Sequence, residues 1–271
     1  MMKGRNLINL FGIPSWLFLI WKGELYYLIF VFICIVLGLG EFYTMLEAKN
    51  TKPLRWVGMV VSVFIVDYYY VQPDISPHAM IGCIILLVLL TCMWELFTNN
   101  SNPILNIVST FAGIFYIPLL LGTAIDIRQF DLFMDTNITF ALVISVWICD
   151  STAFIIGSLY GKKKILPSIS PNKSWIGSVS GFLASLLVCL FFHNQGWLGS
   201  YFTIQDAVVF GIIAGFFGQL GDFTESLFKR DVGVKDSGNI LAGHGGILDR
   251  FDSLIFAMPI TYLYIHFILG L

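Results

Sequence analysis

Apolar stretches long enough to cross a membrane recur from one end of this sequence to the other. Nine can be drawn, roughly Leu7–Trp21, Leu25–Met45, Trp56–Val71, Ala79–Phe97, Ile104–Ile125, Ile138–Tyr160, Trp175–Phe192, Ile204–Gly221 and Leu254–Leu271. In hydrocarbon a backbone must satisfy its own hydrogen bonds, and a helix needs about 20 residues to cross. Charged residues make up 12% of the 271 and hydrophobic ones 57%, whereas a soluble domain carries about 25% charged residues. That is too little charge to cover a water-facing surface. The expectation is an all-α polytopic integral membrane protein of about nine helices. It is read as a single helical membrane domain over 1–271, with N-terminal helices to about 136 and functional helices and loops from about 137. The first segment is short and contains Pro14, and the third is also short. Lys3 and Arg5 precede an apolar run as in a secretory signal, but no A-x-A-like cleavage site follows. The first segment is therefore read as uncleaved.

Basic residues orient the bundle. With the N-terminus inside and every segment crossing once, only Lys22 and Arg128 of the 15 Lys and Arg residues fall outside. Cytoplasmic loops carry such an excess of Lys and Arg, so the bias supports nine crossings. Two long basic loops, Gly161–Ser174 and Phe228–Asp252, come out on the cytoplasmic side. The stretch Asp126–Asn137, with Asp126, Asp131 and Asp135, reads as a solvated outer loop, and Tyr68–Tyr70 as part of an interfacial aromatic belt. Cys34, Cys83, Cys92, Cys149 and Cys189 all lie in apolar stretches without a C-x-x-C pair, so they read as buried small apolar residues. Small residues four apart, Gly177 with Gly181, Gly211 with Gly215 and Ala214 with Gly218, let helix backbones approach closely in lipid. Gly218 and Gly221 could instead open room for a ligand beside Asp222.

Ionisable groups inside apolar segments point to chemistry, because a charge at the bilayer centre costs about 2.5–3.5 kcal/mol on insertion scales. Asp150 lies deep in its segment, while Glu41, Asp67, Glu95 and Asp206 lie nearer segment ends. Asp222, Glu225, Ser226 and Lys229 fall at i, i+3, i+4 and i+7, one polar stripe on a helix whose other face carries Phe223, Leu227 and Phe228. Then come Lys235-Asp236-Ser-Gly238, Gly243-His244-Gly245-Gly246 and Asp249-Arg250-Phe-Asp252. Glycine lets backbone approach a ligand, carboxylates suit Mg²⁺, and Lys and Arg suit phosphate. The combination argues for phosphate chemistry at a membrane surface. A transporter of an anionic solute would share the basic residues and glycine-broken helices. No G-x-x-x-x-G-K-[ST] loop and no H-E-x-x-H pair competes.

The run from Ser226 to Asp252 resembles the signature of phosphatidate cytidylyltransferases, also called CDP-diglyceride synthases. Its matched residues are Ser226, Lys229, Arg230, Lys235, Asp236, Gly238, His244, Gly245, Gly246, Asp249, Arg250 and Asp252. Trp147-x-x-Asp150-Ser151 is similar to that family's intramembrane Trp/Asp block, and Ser170-Pro-Asn-Lys173-Ser-Trp175 to its Ser-Pro-Lys-Lys-Ser block. The likeness covers roughly Ser145 to the C-terminus. Ala242, Asn172 and Ile176 depart from the usual proline, lysine and glutamate.

The resemblance implies the reaction CTP + phosphatidate → CDP-diacylglycerol + pyrophosphate, dependent on Mg²⁺ and leaving a second cation open. It implies a multi-helix fold in the lipid bilayer, commonly a homodimer, with a polar cavity facing the cytoplasm; the N-terminus inside follows from the basic-residue bias, and the chain's length and compactness favour a bacterial plasma membrane over an organelle. No nucleic-acid partner is expected. Asp222 and Asp249 take the metal positions, with Asp150 completing the metal site or orienting a neighbour. Lys229 joins them in catalysis, and His244 would donate to departing pyrophosphate. Lys173, Arg230, Lys235 and Arg250 would neutralise phosphates. Ser226, Asp236, Asp252 and the backbone of Gly245 and Gly246 would complete substrate binding.

Overall fold

The computed structural model describes residues 12, 14–72, 75–98, 100–238 and 245–271. A helical stretch at 14–22 ends at Gly23, whose φ of 65° makes the sharp reversal into α1 (Glu24–Glu47). Then follow α2 (Arg55–Val71), α3 (Pro77–Thr98), α4 (Pro103–Tyr116), α5 (Pro118–Met134), α6 (Ile138–Tyr160) and α7 (Trp175–Asn194). After them come α8 (Ile204–Ile212), a π-helical turn (Ile213–Phe217), α9 (Gly218–Asp231), α10 (Leu248–Leu263) and a second π-helical turn (Tyr264–Ile268). The described residues form no sheet; Lys164 and Ser174 make one antiparallel bridge.

Seven helices among the described residues are long and apolar enough to cross a membrane, with α4–α5 and α8–α9 each counted as one continuous helix. The expected segment Trp56–Val71 corresponds to α2, at 17 residues slightly shorter than these. Much of the expected segment Leu7–Trp21 lies outside the described residues. Pro118 occupies the first position of α5, where its missing N–H costs nothing and the preceding turn can bend.

Close backbone approach at the glycine pairs sets the α6–α7 seam. A Cβ on Gly177 would meet Ala153 O at 2.6 Å, and one on Gly181 would meet Cys149 O at 2.6 Å. Gly211 likewise faces the Leu186 Cα at 2.8 Å. Gly221 packs its α-carbon against the Asp252 backbone, where a Cβ would lie 3.2 Å from the carbonyl carbon. It therefore brings α9 onto α10 and does not open room for a ligand. Ser174 starts α7 by accepting from Gly177 N–H at 3.3 Å.

The outer loop expected at Asp126–Asn137 is a correction. Residues to Met134 continue α5, and Asp126, Arg128 and Asp131 are buried. The reason is capping. Asp131 accepts from Ile138 N–H, Thr139 N–H and the Thr136 hydroxyl, at 2.8, 2.8 and 2.5 Å, and so satisfies the N-terminus of α6. Asp126 is bound by Gln72 and His266, each at 2.7 Å. Arg128 donates to Ile20 O at 2.7 Å and closes the carbonyl end of the 14–22 helix. Tyr69, assigned to an aromatic belt, is buried, with its hydroxyl donating to Leu119 O. Cys34, Cys149 and Cys189 are buried as expected; Cys83 and Cys92 are exposed on α3, which buries little beyond Thr91 and Glu95.

Candidate active site

At the opposite end of the bundle the two long basic loops meet. Arg230 donates from Nε to Ile169 O and from Nη1 to Val234 O, each at 3.1 Å, bracing one loop on the other. Lys49 pairs with Asp231 at 3.0 Å, which brings the α1–α2 loop to the same end.

The polar stripe of α9 is present, and it faces inward. Glu225, Ser226 and Lys229 are buried, whereas Leu227 is exposed. A helix in lipid turns its charge toward protein and its apolar face outward. Asp222 pairs with Lys173, whose ammonium also sits 4.2 Å above the Phe223 ring. Ser226 Oγ lies 3.4 Å from Asp222 Oδ1. Lys229 joins two carboxylates, Glu225 one turn back and Asp249 Oδ1 on α10 at 2.6 Å. Asp249 Oδ2 accepts from Gly246 N–H at 2.7 Å and from the Ser237 N–H and hydroxyl at 3.0 Å each.

The remaining acids close the cluster. Asp252, one turn beyond Asp249, lies within electrostatic reach of Asp222, Glu225 and Asp150. Its own Oδ1 accepts from Ser253 N–H at 2.7 Å. Asp150 projects from α6 and is reachable from the surface although protein surrounds it on most sides. Gln219 donates to Gly215 O at 2.6 Å and Ser178 O at 3.1 Å, which ties the π-helical turn below Asp222 to α7. A cavity of about 300 Å³ lined by Trp21, Arg128, Asp131 and Trp197 lies at the other end of the bundle and holds none of these residues.

Of the residues expected from sequence, Asp150, Lys173, Asp222, Ser226, Lys229, Asp249 and Asp252 gather here. Lys235 and Asp236 are exposed on the loop, and Arg250 occupies the first turn of α10. Gly245 has φ 79°, a conformation that favours glycine. His244 lies outside the described residues. Three groups escaped sequence reasoning as site members: Glu225, Ser237 and Glu41. Glu225 was visible in the stripe, and Glu41 was visible as an acid in an apolar segment. Its partners, about 200 residues further on, were not.

Two ammonium groups, each paired with a carboxylate, converge here with several further acids at one end of the helix bundle. The carboxylates are donors of the type a hard cation takes, and the ammonium groups are of the type a phosphate takes. Residues 3–268 match the cytidylyltransferase family. The chain is similar to the phosphatidate cytidylyltransferase of Bacillus subtilis (strain 168), 32% identical over 96% of both chains. It is also similar to that of Synechocystis sp., 31% identical over 98% of this chain and 97% of the relative. The Staphylococcus epidermidis enzyme of the same name is 32% identical, with 96% and 97% covered. This membrane protein belongs to the cytidylyltransferase family and is a nucleotidyltransferase.

Proposed function

We propose that the protein transfers the cytidylyl group of CTP to phosphatidate, giving CDP-diacylglycerol and pyrophosphate. The observation that carries this reading is the double pairing Lys173–Asp222 and Lys229–Asp249 at one end of a membrane bundle. Relatives that align along nearly the whole chain bear that enzyme's name.

A phosphate oxygen of phosphatidate attacks the α-phosphorus of CTP. One P–O bond forms, the bond from the α-phosphorus to the bridging oxygen breaks, and pyrophosphate leaves. The nucleophile is already anionic, so the barrier lies in bringing two anions together, and positioning and charge neutralisation dominate. Lys173 and Lys229 supply positive charge by turning from carboxylate to phosphate, helped by Arg250 and Lys235. The Gly245 backbone N–H would bind the triphosphate, and His244 would donate to the departing pyrophosphate. The Gly246 N–H acts on Asp249 instead, donating to its Oδ2.

Asp222 and Asp249 offer hard carboxylate oxygens, the donor type Mg²⁺ takes. Such an ion commonly uses one or two carboxylates and takes its remaining ligands from water and substrate phosphates. Asp222 and Asp249 would hold it, and Asp150 would complete the set or orient a neighbour. When bound, Mg²⁺ would supply positive charge against the phosphates.

The site end is assigned to the cytoplasm of a bacterial plasma membrane, with the N-terminus on the same side and the protein a homodimer. Purified protein should release pyrophosphate only when CTP, phosphatidate and Mg²⁺ are all present. Turnover of CTP without lipid would refute the reading.

A further inference from the structure

Glu41 is buried in α1, yet its carboxylate reaches the far end of the chain. Oε1 accepts from Ile247 N–H at 2.9 Å, and Oε2 from Leu248 N–H at 3.0 Å and the Ser237 hydroxyl at 3.1 Å. Those two N–H groups open α10, which carries Asp249 in its first turn and has no cap from its own N-terminal side chain. Glu41 therefore caps α10 from another helix, where the exposed N–H groups and the helix dipole both favour a carboxylate.

The Ser237 hydroxyl lies between Glu41 Oε2 at 3.1 Å and Asp249 Oδ2 at 3.0 Å. One hydroxyl proton serves two acceptors, so the two carboxylates are coupled through it. Two signature glycines make room for this group. A Cβ on Gly246 would lie 2.6 Å from Glu41 Cδ, and one on Gly238 would lie 2.7 Å from the same atom.

We propose that Glu41 is a positioning residue for cytidylyl transfer: it fixes the start of α10 and, through Ser237, the orientation of Asp249. This rests on the proposed reaction. Glu41 does not touch substrate in this account. Its loss displaces Asp249, and a displacement of about 1 Å at a reacting centre costs about 100-fold in rate.

The experiment compares wild type, Glu41→Gln, Glu41→Asp, Ser237→Ala and the Glu41→Gln/Ser237→Ala double variant, all detergent-purified. CDP-diacylglycerol formation is followed together with melting temperature. Glu41→Gln places an amide NH₂ against donors and should lower kcat about 100-fold, with the KM for CTP changed less than about threefold. Glu41→Asp keeps the charge and should recover part of kcat. Ser237→Ala should lower kcat as well, and Glu41→Gln should cost less in that background, because both act on Asp249. Normal kcat in folded Glu41→Gln, or additive effects in the double variant, would overturn the proposal. So would a loss of melting temperature with kcat per folded molecule intact. An inactive wild type would instead overturn the reaction assigned above. If Glu41→Gln does not fold, the Ser237→Ala and Glu41→Asp variants decide by the same kcat-to-KM comparison.

Discussion

Lys229 on α9 and Asp249 on α10 are 2.6 Å apart, and this contact joins the two halves of the signature, 20 residues apart in sequence. The same lysine also pairs with Glu225, so one cation is shared by a fully buried acid and a partly buried one. Lys229→Met leaves both carboxylates uncompensated. Breaking a buried pair in this way costs about 3–5 kcal/mol, so the variant should melt well below wild type and lose turnover. Lys229→Arg should restore melting temperature more than kcat, because the planar guanidinium cannot reproduce an ammonium at this distance.

Asp249→Asn exchanges an acceptor for an amide facing the Gly246 and Ser237 donors. On the proposed reaction kcat should fall on the order of a thousandfold, or about 4 kcal/mol of transition-state stabilisation. Steady-state rates of CDP-diacylglycerol formation check this. Asp222→Asn should be comparably impaired, and chelation of Mg²⁺ should stop the wild type reversibly.

Lys173 reaches Asp222 from the loop before α7. If it turns to a CTP phosphate, Lys173→Ala should raise the KM for CTP about tenfold, as expected for about 1.4 kcal/mol of binding, with a smaller change in the KM for phosphatidate. Kinetics with each substrate varied separately measure this.

Two substitutions far from the site separate folding from chemistry. Gly211→Ala places a methyl 2.8 Å from the Leu186 Cα and should cost about 1–3 kcal/mol through overpacking. Asp131→Ala strips the cap of α6 and leaves buried donors unpaired, at about 1–3 kcal/mol. Both should lower the melting temperature in detergent and leave kcat of folded protein near wild type.

The helices were legible because hydrocarbon forces long apolar runs, and α6 begins and ends where the hydropathy pattern does, at Ile138 and Tyr160. Asp222, Glu225, Ser226 and Lys229 were legible as a stripe because helical spacing alone puts them on one face. Asp131 was misread. Three acids after an apolar run look solvated, and nothing local says that one of them caps the following helix. Glu41 was underread for a related reason: its partners are Ser237, Ile247 and Leu248, and only the fold brings them to α1. Gly221 was offered as room for a ligand and Gly246 as a backbone donor to substrate, but the protein's own Asp252 backbone lies against the first, and the second donates to Asp249 and packs on the Glu41 carboxylate.

The central claim is tested most directly by pyrophosphate release from purified wild-type protein and Asp249→Asn, supplied with CTP, phosphatidate and Mg²⁺. The account predicts release in wild type that requires all three components, yields CDP-diacylglycerol in equal amount and falls on the order of a thousandfold in the variant. Folded wild type that releases no pyrophosphate, or an Asp249→Asn variant as active as wild type, would contradict it.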